Sequence, residues 1–191
     1  MASDRVDLAV EEYRALRATI RERGTMRALV TTITFVSWAG LSLAAAALFV
    51  LPPLALIPLL ALAAGFEAVF AIHVGVERVG RYIQRRFETG DGLPGWEHAA
   101  MKIGATKQAG GGIDPLMTWP FVLATLLNLM VVLIMQPDPG PIDEATLTSF
   151  DGAPPATFAV FAVVHAAFLV RVFSARRFAR GQRERDLQLF S

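Results

Sequence analysis

Residues 53–88 read PLALIPLLALAAGFEAVFAIHVGVERVGRYIQRRFE. From Leu54 to Val76 the stretch is apolar except for Glu67 and His73, and beyond Glu77 it turns strongly basic with no proline between the halves. A helix of this length measures about 50 Å, whereas the hydrocarbon core of a bilayer is about 30 Å thick. The stretch therefore predicts one helix that crosses a membrane and then stands out of it. Its surroundings must accommodate a carboxylate and an imidazole inside the span.

Composition points the same way. The chain has 191 residues, 54% hydrophobic and 18% charged, with a mean hydropathy of +0.47, where a soluble domain carries about 25% charge. The expected class is an all-α integral membrane protein. With no cysteine, disulfides, thiolate metal sites and cysteine nucleophiles are excluded. The acids Asp4, Asp7, Glu11, Glu12 and Glu22, and the lack of a short apolar core before a small-residue site, predict no cleaved signal peptide.

Towards the N-terminus, residues 3–23 read as an amphipathic helix with Ser3 as N-cap. Val6, Val10, Tyr13, Leu16 and Ile20 share one face. Gly24 and Thr25 are expected to break it before a first span over 28–50, on which Ser37, Gly40, Ala44 and Ala47 form a small-residue stripe. That stripe is read as packing within the chain. Leu51–Pro53 then make a tight turn into the span 53–77, where Pro58 is expected to remove a backbone hydrogen bond and kink the helix.

Towards the C-terminus, TGDGLPG ends the long helix. Trp96–Ile103 can form a short interfacial helix, with Trp96 at headgroup depth. Gly110–Gly112 read as a linker, because a phosphate loop would need a following lysine and hydroxyl and a preceding strand. Further spans are expected over 116–136 and 156–172, separated by an acidic, proline-rich loop. The predicted fold is thus four transmembrane helices in an antiparallel bundle. An amphipathic segment (1–26) precedes the transmembrane domain (27–175, with a cytoplasmic loop over 78–115), and a basic tail (176–191) follows it.

Charge sets the orientation. Six of the 18 Lys and Arg residues precede the first span, six lie between Arg78 and Lys107, and six follow from Arg171 onward. With four spans all lie on one face, which the positive-inside rule makes cytoplasmic. Both termini are then cytoplasmic and the bilayer is the plasma (inner) membrane. The opposite surface carries Asp138, Asp143, Glu144 and Asp151. Arg78, Arg81, Arg85, Arg86, Arg176, Arg177 and Arg180 are candidates for anionic lipid headgroups or a partner, while Glu77, Arg81 and Arg85 can pair along one helix face. Nucleic acid is not an expected partner, since no recognition motif accompanies the charge.

Chemistry, if present, lies in the spans, where ionisable groups cost about 2.5–3.5 kcal/mol and so face the bundle interior. Glu67, His165, His73 and Asn128 are the candidates for an ion or proton site. Two pairings follow. With the fourth span centred on His165, that residue is level with Glu67; with Arg171 and Arg78 at one boundary, His73 and His165 are level and can serve as axial ligands of a haem b among phenylalanines. Glu97 and His98 lack a nucleophile or metal-ligand partner, so no catalytic residue and no metal site is assigned. The function expected is association, as a homo-oligomer or a subunit of a membrane complex, around an intramembrane polar cluster. A proton or cation path through Glu67 and a haem-binding electron carrier are the alternatives.

Overall fold

The computed structural model describes residues 2–47, 54, 56–88, 95–105, 115–134 and 155–190. The turn at Leu51–Pro53, the Gly110–Gly112 linker and the acidic loop over 136–154 lie outside the described residues. Every described element is a helix: α1 (Ala2–Ala47), α2 (Leu56–Phe87), α3 (Trp96–Ala105), α4 (Pro115–Ile134) and α5 (Pro155–Leu189). Three of them contain segments long and apolar enough to cross a membrane, Arg5–Ala47, Leu56–Phe87 and Ala159–Leu189, and α4 contributes a shorter apolar stretch, Met117–Met130. The described chain is all-helical, and its three long apolar helices point to a membrane protein.

One expected boundary disappears. α1 is one helix of 46 residues, about 69 Å long, and it runs through Gly24 and Thr25. A glycine inside a helix costs only about 1 kcal/mol. The Thr25 hydroxyl donates back to the Arg21 carbonyl at 3.2 Å instead of capping a new helix. α5 runs unbroken from the apolar stretch to Leu189, so the basic tail continues the helix of the last apolar segment. Nor does Pro58 kink α2. The helix starts at Leu56, which puts Pro58 in the first turn, where its missing N–H has no intrahelical acceptor to lose.

α2 is the central element because its apolar residues recur at helical spacing on a face that the other helices cover. Leu59, Leu62, Phe66, Val69, Phe70 and Ile83 are all buried. Phe66 meets Phe121 of α4 at 5.2 Å and Phe168 of α5 at 5.9 Å between ring centroids, while Phe121 in turn meets Phe35 of α1 at 5.0 Å. One aromatic layer thus joins four helices.

Contacts fix two registers. Against α1, the pairs Thr34/Gly65, Arg27/His73, Arg23/Gly75 and Tyr13/Phe87 descend on one helix as they ascend on the other, so this pair runs antiparallel. The tightest approach is at Gly65, whose hydrogen faces the Thr34 side chain so closely that a Cβ would overlap it. Against α5, the pairs Phe66/Phe168, Glu67/Arg171, Arg81/Asp186 and Tyr82/Phe190 ascend together. α2 and α5 are parallel.

At the basic end of α2, Glu88 supplies what α3 lacks. Gly95 precedes α3 and has no side chain to cap it. Instead the Glu88 carboxylate accepts the N–H groups of Glu97 at 3.0 Å and His98 at 3.1 Å, an N-terminal capping role filled from another helix. The Arg17 guanidinium of α1 donates to Glu97 at 2.6 Å and completes the attachment.

Candidate polar site

The four intramembrane candidates do not form one cluster. They are distributed over three separate contacts, and the register explains each.

His165 and Asn128 meet as the bond between α5 and α4. The imidazole Nδ1 lies 2.8 Å from the Phe161 carbonyl, which can only accept, so Nδ1 carries the proton. Nε2 then accepts from the Asn128 amide at 3.0 Å. Both ring nitrogens are satisfied in the neutral form, and the ring is 1% exposed. Its aromatic neighbour is Phe161, with centroids 4.1 Å apart. This geometry ties two helices together and leaves no nitrogen for a ligand.

His73 belongs to a chain of polar contacts on the basic side. Its Nδ1 lies 3.2 Å from the Arg27 guanidinium of α1, which can only donate, so Nδ1 is the acceptor and Nε2 holds the proton. Nε2 faces Glu77 at 3.5 Å. Glu77 accepts from Arg81 at 3.0 Å, and Arg81 donates to Asp186 of α5 through Nη2 at 2.7 Å and Nε at 3.2 Å. The chain crosses from α1 through α2 to α5. The Glu77–Arg81 half of the expected ladder is present, but Arg81 is 3% exposed and held by Glu77 and Asp186, so it is turned away from the surface expected to meet headgroups. Arg78, Arg85, Arg86 and Arg177 are exposed; the side chains of Arg176 and Arg180 lie outside the described residues.

Glu67 faces outward, although an ionisable group at its depth is expected to point into the bundle. Phe66 and Phe70 take the interior positions and turn Glu67 onto the surface beside α5. There its carboxylate accepts from Arg171 at 2.7 Å, with the two side chains 51% and 38% exposed. The Arg171 guanidinium also lies over the faces of Phe66 and Phe70, at 5.7 and 5.2 Å from the ring centroids, an added cation–π attraction.

Neither expected pairing is formed. Glu67/Arg171 and Arg81/Asp186 are separated by 104 and 105 positions in sequence. His73 is therefore level with the region of Arg177, roughly 18 Å along the axis from His165. That span exceeds what one haem iron can bridge, and the phenylalanines expected around a macrocycle fill the bundle by packing on one another. Arg171 is level with Glu67 rather than with Arg78, so His165 also lies well away from Glu67.

Three participants escaped the sequence reading: Arg27, Arg171 as a partner of Glu67, and Asp186. Arg27 marks the start of the first apolar run, and that position could have suggested a partner near the same boundary on α2. Asp186 stands alone among arginines, a pattern that also fits a solvated helix face. Among the described residues, no three His, Asp or Glu side chains converge as a metal site.

Outside the apolar segments, the acidity of the Glu88 carboxyl is displaced. Burial alone would raise its pKa, but the N–H of Glu97 and the ring and N–H of His98 hold it below the ordinary carboxylate value. No family, curated protein or solved structure matches this chain.

Proposed function

We propose that the protein is a four-span, antiparallel protein of the plasma (inner) membrane with both termini in the cytoplasm. It acts by association, with further copies of itself or within a larger membrane complex, and not by catalysis. The 20 residues of α4 extend about 30 Å, the thickness of the hydrocarbon core, which supports a fourth span. Confinement of the basic residues to three segments supports the orientation.

The observation that carries association is the outward face of α1. Ser37, Gly40, Ala44 and Ala47 are all exposed, and among the described residues nothing lies within 4 Å of the position a Gly40 Cβ would occupy. The opposite face of the same helix, through Thr34, Phe35 and Trp38, packs on the rest of the chain. A small-residue stripe lets another membrane helix come close enough for backbone-to-backbone packing, and among the described residues nothing covers it.

The absence of native cysteine makes the test direct. Single cysteines at Gly40 and Ala44, oxidised in native membranes, are expected to give a disulfide-linked dimer, and a cysteine at the inward Ser42 is not. Failure of both outward positions to cross-link to any protein would remove the reading.

A further inference from the structure

An open groove of about 800 Å³ runs between α2 and α5, within the range of about 300–1,000 Å³ typical of ligand sites. Its walls are apolar, with Phe70, Ala71 and Val74 on one side and Phe178 on the other. Its two ends differ in charge. At the inner end, Glu67 and Arg171 neutralise each other. At the other end stands Arg78, half-exposed, whose one described ion-pair contact is 3.5 Å to an Asp186 oxygen already held by Arg81. Arg23 does not itself line the groove but reaches Gly75 on its wall from the α1 side, where an added Cβ would meet its Nη1 at 2.6 Å. Among the described residues, no carboxylate pairs with Arg23.

The groove thus has a cationic mouth, an apolar length and a neutral floor. Glu67 and Arg78 are 11 positions apart, roughly 16 Å along α2, so the mouth lies at the basic boundary and the apolar length points into the membrane. Two guanidiniums with free N–H donors match a phosphate, which arginine binds through paired hydrogen bonds. Basic pockets between transmembrane helices on the cytoplasmic side are where lipid headgroups dock. The concave shape suits an elongated guest better than a second copy of the chain, whose matching surface is equally concave.

We propose that this groove binds one anionic phospholipid, with its phosphate between Arg23 and Arg78 and its acyl chain along Phe70, Ala71 and Val74. The inference rests on α2 and α5 crossing the membrane and not on self-association, so the α1 cross-linking result leaves it untouched.

The test uses the full chain purified in mild detergent, with native mass spectrometry counting dioleoyl phosphatidylglycerol retained against dioleoyl phosphatidylcholine. Wild type should retain one phosphatidylglycerol per chain. Binding should weaken at least tenfold in Arg23→Gln/Arg78→Gln and in Ala71→Trp, which fills the groove without changing charge. Arg85→Gln/Arg86→Gln loses the same charge outside the groove and should bind as wild type does. Should the arginine pair fail to fold, Ala71→Trp decides the matter. Equal weakening in both arginine pairs would mean diffuse attraction, an unaffected Ala71→Trp would mean no groove site, and equal retention of the two lipids would mean no selection for a net anionic headgroup. Displacement by inorganic phosphate at equal concentration would make the ligand a free anion. Each of these overturns the proposal.

Discussion

Replacing Asp186 by alanine removes the main counter-charge from a guanidinium that has no access to water. Arg81 is 3% exposed and Asp186 6%, and the carboxylate accepts from Arg81 at 2.7 and 3.2 Å. Removing one partner of a buried ion pair costs about 3–5 kcal/mol. Here Glu77 still holds Nη1 at 3.0 Å, so the low end, about 3 kcal/mol, is the appropriate figure. The loss should be local. Beyond Ala179, the last apolar residue of α5 in the core, the described attachments of α5 to α2 are Asp186 and the contact of Phe190 with Tyr82 at 5.5 Å. Opening of this end lets the helix unwind and frees the backbone around Arg183 and Arg185 for trypsin. When opening is fast relative to cleavage, the cutting rate follows the open population, and about 3 kcal/mol corresponds to a rise of roughly 100-fold. Limited trypsinolysis in detergent, followed by mass spectrometry of the released C-terminal peptides, reads this directly. Arg81→Met/Asp186→Leu, which removes both charges, should return the rate close to that of wild type. A single variant cut no faster than wild type, or a double variant cut as fast as the single, would refute the argument.

Gly65→Leu should separate α1 from α2, because the Thr34 side chain occupies the place of the new Cβ; overpacking of this kind costs about 1–3 kcal/mol. The thermal midpoint should fall for Gly65→Leu and hold for Ala64→Leu on the exposed face, and equal midpoints would refute the packing argument. For Glu88 the folded-state pKa is depressed, so its contribution to the docking of α3 is complete above the ordinary carboxylate value and fades as pH falls through the lowered one. Its carboxyl carbon, followed by NMR, should titrate with a midpoint below about 4.3; a midpoint at or above that value would show that the cap from α2 is not formed.

Much of the architecture was legible because it depends on local pattern. The long apolar runs mark segments able to cross a membrane. Gly24 misled because a glycine followed by a hydroxyl is only a weak break, one that 46 residues of continuous helix and a neighbouring α2 override. The site was less legible because it depends on register between distant helices. Sequence places Glu67 and His165 at similar depth only if the fourth span is centred on the histidine. In the structure Glu67 meets Arg171, 104 positions away, and Asp186 finds Arg81 at 105. No periodicity within one helix encodes such an offset. The inward turn of Phe66 also sends its neighbour Glu67 outward, which a rule about buried carboxylates cannot anticipate.

The continuity of α1, α2 and α5 across the boundary between apolar and basic segments has a mechanical consequence. In the proposed arrangement no helix breaks where it would leave the bilayer, so the part in the membrane and the part in water would form one rigid lever. Transmembrane helices adjust to bilayer thickness by tilting, over a range of about 0–40°, and a tilt change of about 10° sweeps a point roughly 20 Å beyond the membrane through some 3–4 Å. Thinning or thickening of the lipid therefore displaces α3 and the end of α5 together, as one body tied by Glu88, Arg17 and Asp186.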